Sequence, residues 1–406
     1  MLRIKNIKIF DLCAYIVCLL SIYVSGTAIV TIVEKQAIYQ LLMLIMFISS
    51  FLFIIKVRDI NLFLKKYTYY LLIGGFVFVV NFLNYPDSAN VLILRVLYFL
   101  AFICFVKALS DRGKEIGIFL YNCIIFISII ALANYILIHI LEISVPFSVV
   151  YNSNGIRYNM YSYFYLENPT SSLVYNFRLS GFFWEPGVFQ IYLNYALYRF
   201  LYCNERKNKL HFIVITCCIA LSYSTTGYIV AAVLIAIKLW KDSRLSKKSK
   251  FFLSIPIAVV IVAVISIILT EKKYGLDADS YNARFDDLFT GLKLFFNHLF
   301  IGAGFNNTSV FTEATGRNRG NSNGFMQIIY TMGMLGILVY VYPFIANIRK
   351  IIQSKEKLSQ IIYSILLLVL NMSEPLCFYP FMLLLLSEQY CKLSFERLRK
   401  EIKNNG

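Results

Sequence analysis

Long apolar runs recur along this chain and constrain it more than any other feature. They lie at 10–33, 37–55, 68–84, 89–107, 115–141, 185–203, 210–223, 226–240, 251–270, 324–347, 358–372 and 376–391. A helix rises about 1.5 Å per residue, so roughly 20 apolar residues cross the hydrocarbon core of a bilayer. The sequence is 59% hydrophobic with a mean hydropathy of +0.67, more apolar surface than a soluble domain can bury. The expected fold is an all-α polytopic membrane protein, residues 1–406 forming one integral membrane domain of about twelve transmembrane helices. The seventh, eighth and last two runs are short, and each pair reads equally as a tight or re-entrant hairpin.

The net charge of +17 would suggest nucleic acid in a soluble protein. Here it follows membrane topology. With the N-terminus inside and the spans alternating, every inner loop is basic, as at Lys56 to Lys66, Arg199 to Lys209, Lys238 to Lys250 and Lys392 to Lys403. That pattern predicts an even number of spans, both termini cytoplasmic, and no nucleic-acid partner. The basic Met1 to Phe10 segment reads as the flank of a retained first span rather than of a cleaved signal peptide. The nine cysteines fall in or beside apolar runs without CxxC or Cys/His spacing, and read as small buried hydrophobes.

Two long loops fall on the outer side, at 142–184 and 271–323. The first is rich in tyrosine (Tyr151, Tyr158, Tyr161, Tyr163, Tyr165, Tyr175) and carries Arg157 and Arg178. Aromatics with arginine suit sugar faces and lipid interfaces alike. The second holds an amphipathic segment, 281–301. At about 100° per residue, Phe285, Leu288, Leu292, Phe295, Phe296 and Leu299 share one arc, with Asp286, Asp287, Lys293 and Asn297 opposite. It is expected to be a helix lying on the outer leaflet, N-capped at Ser280 and ended by Gly302 to Gly304.

Chemistry concentrates in Arg178 to Gly187. Pro186 suits the first position of a helix, so the sixth span is expected to start near Glu185 with its positive dipole end outward. Arg178 adds a guanidinium suited to a diphosphate or carboxylate, and Gly181 lets the backbone approach closely. Glu185 is either a general base or a brace for Arg178. Arg284, Arg317 and Arg319 bring further cations to the same side, against the positive-inside bias, for a substrate or for lipid headgroups. Arg95, inside the fourth span near its outer end, either snorkels or meets a phosphate. His298 reads as a helix-surface residue and Glu374 as a span terminator. GxxxxGK[ST], GxGxxG and HExxH motifs are missing, and Asp277 with Asp279 makes only a formal DxD. No cofactor, no metal and no nucleotide-sugar donor are expected.

Four pieces in order carry a resemblance: RLSGFFWEPGVFQIYLNYAL (178–197), LSYSTTGYIVAAV (221–233), YNARFDDLFTGLKLFFNHLFIGAGF (281–305) and NSNGFMQIIYTMGMLGILVY (321–340). The chain resembles the O-antigen and capsular polysaccharide polymerases, grouped with the O-antigen ligase-like glycosyltransferases of GT-C type. The resemblance implies a polymerase joining undecaprenyl-diphosphate-linked oligosaccharide repeats on the outer face of a bacterial plasma (inner) membrane, for capsule or lipopolysaccharide. Arg178, Glu185 and Arg284 would be catalytic. Arg95, Arg157, Arg317, Arg319 and Asn323 would bind substrate. Partners would be the lipid-linked glycan, membrane lipid, a chain-length regulator and a flippase. The ligase-like members usually carry His-Asn where this chain has Ser322 and Asn323, which favours polymerase over ligase and leaves the base unassigned. A ligase-type glycan transferase and a lipid-linked oligosaccharide transporter are the alternatives.

Overall fold

In a computed structural model, residues 9–32, 35–57, 74–143, 145–151, 157–167, 178–203, 208–241, 266, 278–316, 320–354 and 358–404 are described. In chain order the elements are α1 (Ile9–Tyr23), α2 (Gln36–Leu52), α3 (Gly74–Asn84), α4 (Ala89–Ser110) and α5 (Ile116–His139). Strands β1 (Ser148–Tyr151), β2 (Arg157–Ser162) and β3 (Tyr165–Glu167) come next. They are followed by α6 (Pro186–Tyr202), α7 (Lys209–Ser222), α8 (Thr225–Lys241), α9 (Ala278–Asn297), α10 (Ser309–Thr315) and α11 (Gly324–Gly336). A π-helical turn (Ile337–Val341), α12 (Tyr342–Ser354), α13 (Leu358–Ser373) and α14 (Pro380–Asn404) complete the chain. The protein is an all-α membrane protein with one small sheet. Among the described residues four helices are long and apolar enough to cross a membrane: Gln36–Ile55, Pro86–Ser110, Ile116–His139 and Gly324–Arg349. Helices also lie at the other expected runs, except 251–270, which falls outside the described residues apart from Ser266.

The fold divides into two compact units. The first comprises 1–25, 43–116 and 283–406, the second 26–42 and 117–282.

In the first unit α14 packs along α4, α1 and α12. Phe102 and Phe105 of α4 and Phe381 of α14 are fully buried there. The expected continuous tenth span is instead broken at Gly333, which has φ 60° and ψ −148°. A break frees backbone groups that a membrane protein must satisfy internally. The turn after α9 does so: Met334 N donates to Leu299 O (2.8 Å), Ala303 N to Tyr330 O (2.8 Å) and Gly304 N to Thr331 O (2.9 Å). Two glycines make this approach possible. A Cβ on Gly302 would lie 2.3 Å from the Thr331 carbonyl carbon, and one on Gly333 would lie 2.7 Å from Gly302 N. From α3, Asn84 Nδ2 donates to Gly302 O (2.8 Å) and Asn81 Oδ1 accepts from Phe305 N (2.9 Å).

In the second unit α6 packs against α7 and α8, and its residues Val188 to Arg199 are buried. Polar groups inside it are matched in part, Asn194 Oδ1 being buried without a hydrogen-bond partner. Asn194 Nδ2 donates to Gln190 Oε1 (2.9 Å) and toward Gly227 O (3.3 Å), with Gly227 letting α8 close on Gln190. Phe183 stacks on Tyr192 at 4.6 Å between centroids and on Phe182 at 4.3 Å. The first long loop, 142–184, contains an antiparallel sheet in the order β1-β2-β3. Its sequence alternates β-branched, aromatic and polar residues, and the pleat buries Val150, Met160 and Leu166. The first helix also ends sooner than expected, at Tyr23, because Gly26 (φ 82°) turns the chain so that Ala28 N donates to Phe182 O (3.0 Å).

Candidate functional site

Two clusters of site residues emerge, one in each unit. In the second unit, α6 begins as its sequence predicts. Glu185 is the N-cap in extended conformation and Pro186 the first helical residue. The Glu185 carbonyl accepts from Val188 N (3.1 Å) and Phe189 N (3.4 Å), but its carboxylate makes no capping bond. Half-buried, that carboxylate stands at the positive end of the dipole, where an anion is favoured. Gly181 sits at φ 64°, a conformation glycine adopts without strain.

Arg178 meets the far end of another helix. Its Nε donates to Ser222 O (3.4 Å) and its Nη2 to Tyr223 O (3.2 Å), and the neighbouring Leu179 N donates to Leu221 O (2.9 Å). These carbonyls close α7, whose C-cap Tyr223 is left-handed at φ 47°. A cation at a helix C-terminus is itself stabilising, by about 0.3–1 kcal/mol at an exposed site. Arg178 is therefore held in place by backbone and remains half-exposed. Arg157, at the start of β2, is exposed, and its Nε donates to Asn159 Oδ1 (3.3 Å).

The cluster in the first unit gathers around α9. Arg284 Nη2 lies 3.2 Å from Glu374 Oε1. The two ends differ in exposure: the Glu374 side chain is 3% exposed, that of Arg284 41%. The buried carboxylate orients the guanidinium while leaving part of it open. One helical turn on, Asp287 is fully buried. Its Oδ2 accepts from Ser322 N (3.0 Å) and Ser322 Oγ (2.7 Å), and its carbonyl accepts from Asn321 Nδ2 (2.8 Å). Asn321 Oδ1 accepts from Asn323 N (2.8 Å), and Asn323 Oδ1 caps α11 by accepting from Met326 N (3.1 Å). Gly324 closes the group: a Cβ there would lie 2.4 Å from Glu374 O. Asp287 thus fixes the N-terminus of α11 beside the Arg284–Glu374 pair.

Several expectations change here. The helix starts at Ala278, so Ser280 lies inside it rather than at its cap. Its inward face is centred on Asp287, Gly291, Leu294 and Phe295, while Phe285 and Phe296 are exposed. Asp287, placed by periodicity on the polar face, is turned inward because the Asn321–Ser322 turn supplies its hydrogen bonds. Glu374, read as a span terminator, is an ion-pair partner. The sequence signal for Asp287 was its place at i+3 from Arg284; Glu374, before Pro375 and 90 residues from Arg284, had none. Asn323 caps a helix. His298 is exposed. Arg317 and Arg319 lie outside the described residues.

Arg95 of α4 is half-buried. Its guanidinium carbon is 5.4 Å from the Tyr379 ring centroid, and its Nη1 is buried with no hydrogen-bond partner. A cation left so inside an apolar helix invites an anion.

Comparison with known proteins adds one match. Residues 210–341 match the family model described as O-Antigen ligase. No curated protein and no solved structure matches the chain. The matched stretch includes Arg284, Asp287 and Asn321 to Gly324; Arg178, Glu185, Arg95 and Glu374 lie outside it.

Proposed function

Starting from a chain that is O-antigen ligase-like over residues 210–341, we propose that it is a membrane glycosyltransferase polymerising oligosaccharide repeats carried on undecaprenyl diphosphate. In this reading both termini are cytoplasmic and the loops at 142–184 and 271–323 work at the outer face of a bacterial plasma membrane. The lipid-linked donor brings its own leaving group, an anionic diphosphate. The protein must hold that anion, meet the charge that grows on it as the glycosidic bond breaks, and present the acceptor hydroxyl in line.

The observation that carries the proposal is Arg284, oriented by a buried carboxylate yet partly open, beside the pinned N-terminus of α11 and within the matched stretch. In the other unit Arg178 is a cation anchored on backbone, and Glu185 stands at the N-terminus of α6. Arg95 and Arg157 are assigned to binding substrate, as are Arg317, Arg319 and Asn323. No metal or cofactor is required. A flippase and a chain-length regulator are the partners this reaction calls for.

The family description favours a second reading, in which finished polymer is ligated to another acceptor. Ser322 in place of the histidine of ligase-like relatives favours polymerase. Deletion in the native host separates the two. Lipid-linked single repeats accumulate if the chain polymerises, whereas long lipid-linked polymer persists if it ligates. Restoring Arg284→Ala should leave the deletion phenotype, with transfer reduced about 10²–10³-fold, the usual effect of losing one electrostatic stabiliser. Full-length polymer at normal level from that variant would sink the assignment.

A further inference from the structure

Glu167 ends β3, opposite Asn159 of β2. The strand is stitched to the stretch that begins at Arg178, because Leu166 N donates to Gly181 O (2.9 Å). Glu167 Oε1 lies 3.5 Å from His139 Nε2 at the end of α5, and the two side chains are 15% and 11% exposed. The Tyr161 hydroxyl hydrogen-bonds the carboxylate. Tyr165, almost fully buried, lies within electrostatic reach of it, as does Tyr135, whose ring is 4.6 Å from that of His139. Tyr135 is also within reach of Tyr223, whose backbone oxygen accepts from Arg178. A carboxylate and a half-exposed guanidinium thus border one group of tyrosines, in which the Tyr223 ring is exposed. Arg157, which acts on Tyr161, is the further charge on β2.

Glu167 pairs with His139 in a mostly buried place, where a carboxylate costs more to hold than a neutral side chain would. Burial pushes the Glu167 carboxyl above its usual range, and the Tyr161 hydrogen bond offsets part of that. A base raised toward neutrality is suited to taking a proton from a sugar hydroxyl. Aromatic rings around it suit the faces of a sugar.

We propose that Glu167 is the general base of the transfer and that Tyr161 and Tyr223 wall the acceptor-sugar subsite. This rests on the transferase reading above. The acceptor hydroxyl gives its proton to a Glu167 oxygen while its electron pair forms the bond to the donor's anomeric carbon. The bond from that carbon to the diphosphate oxygen breaks, and the electron pair leaves with the lipid diphosphate beside Arg178. Glu167 then passes the proton to water. Glu185 keeps its place at the start of α6 and takes no proton.

The test uses the full chain in native membrane vesicles, with lipid-linked repeats purified from a strain deleted for the protein, assayed from pH 5 to 9. Wild type should show a rate that falls at acid pH as Glu167 is protonated. Glu167→Gln should lower the rate at least about 100-fold and abolish that acidic limb. Tyr161→Phe should keep most of the rate at high pH and move the limb upward, because the bond that favours the carboxylate is gone. Glu167→Gln within about threefold of wild type, or a Tyr161→Phe limb that stays in place, would overturn the assignment while leaving the transferase reading intact. No transfer by wild type from this donor would overturn both.

Discussion

At the scale of single residues, ion pairs with one buried end should respond unequally to mutation. Removing Arg284 takes an ion-pair partner from the buried Glu374 carboxylate, whereas removing the Glu374 charge leaves a guanidinium that can turn to water. Arg284→Ala should therefore cost about 1–3 kcal/mol and Glu374→Gln distinctly less, read as melting temperatures in detergent. The double variant should regain stability but not transfer. Equal losses from both single variants would contradict the burial asymmetry. Glu167 makes a second residue-scale prediction. Its carboxyl is raised in the folded protein, so the folded state holds the proton more tightly than the unfolded chain does. Its contribution to stability is fully present below the unfolded value and declines as pH climbs through the raised folded value. The melting temperature of Glu167→Gln relative to wild type should accordingly be more favourable at pH 8 than at pH 4; the reverse trend would contradict a raised carboxyl.

At the scale of elements, the decisive devices are the glycine contacts and the caps. Gly302→Ala places a methyl 2.3 Å from backbone at a position with φ 80°, where nothing nearby is a flexible side-chain end. It should cost more than about 2 kcal/mol and loosen the segment from Leu299 to Met334, seen as faster amide exchange there. Asn323→Ala should cost about 1 kcal/mol by removing the α11 cap. A much larger loss of transfer than that stability change explains would support its substrate-binding assignment. The helices were legible because hydropathy needs only composition within a window. Glu185 and Pro186 were legible because capping is local chemistry. The sheet at 148–167 was not, since its short strands gain stability only from pairing and from the Gly181 contact. The Gly333 break was hidden because Gly302, whose backbone sits against it, is distant in sequence. Asp287 was misplaced for a similar reason: helical periodicity counts a carboxylate as polar and cannot see the Asn321–Ser322 turn that neutralises the cost of burying it.

At the scale of the whole molecule, topology is the prediction with the widest reach. On the topology proposed above, the basic loops put both termini in the cytoplasm and the loops at 142–184 and 271–323 outside. In a variant cleared of native cysteines, a cysteine at Ser153 should be labelled by an impermeant reagent in intact spheroplasts, and one at Lys207 only after lysis. Labelling in the opposite sense would invert the topology. The broken helix at Gly333 bears on how such a chain is assembled as it is made. The backbone that satisfies the break, Leu299 to Gly304, is synthesised before α11 and is already present when that helix enters the bilayer. Arg284 has no such head start. Its carboxylate partner follows 90 residues later, roughly 5–18 s at ~5–20 residues per second. A nascent chain stopped at Val341, where the matched stretch ends, would hold its kinked helix closed while its central arginine still lacked Glu374, the residue that orients it.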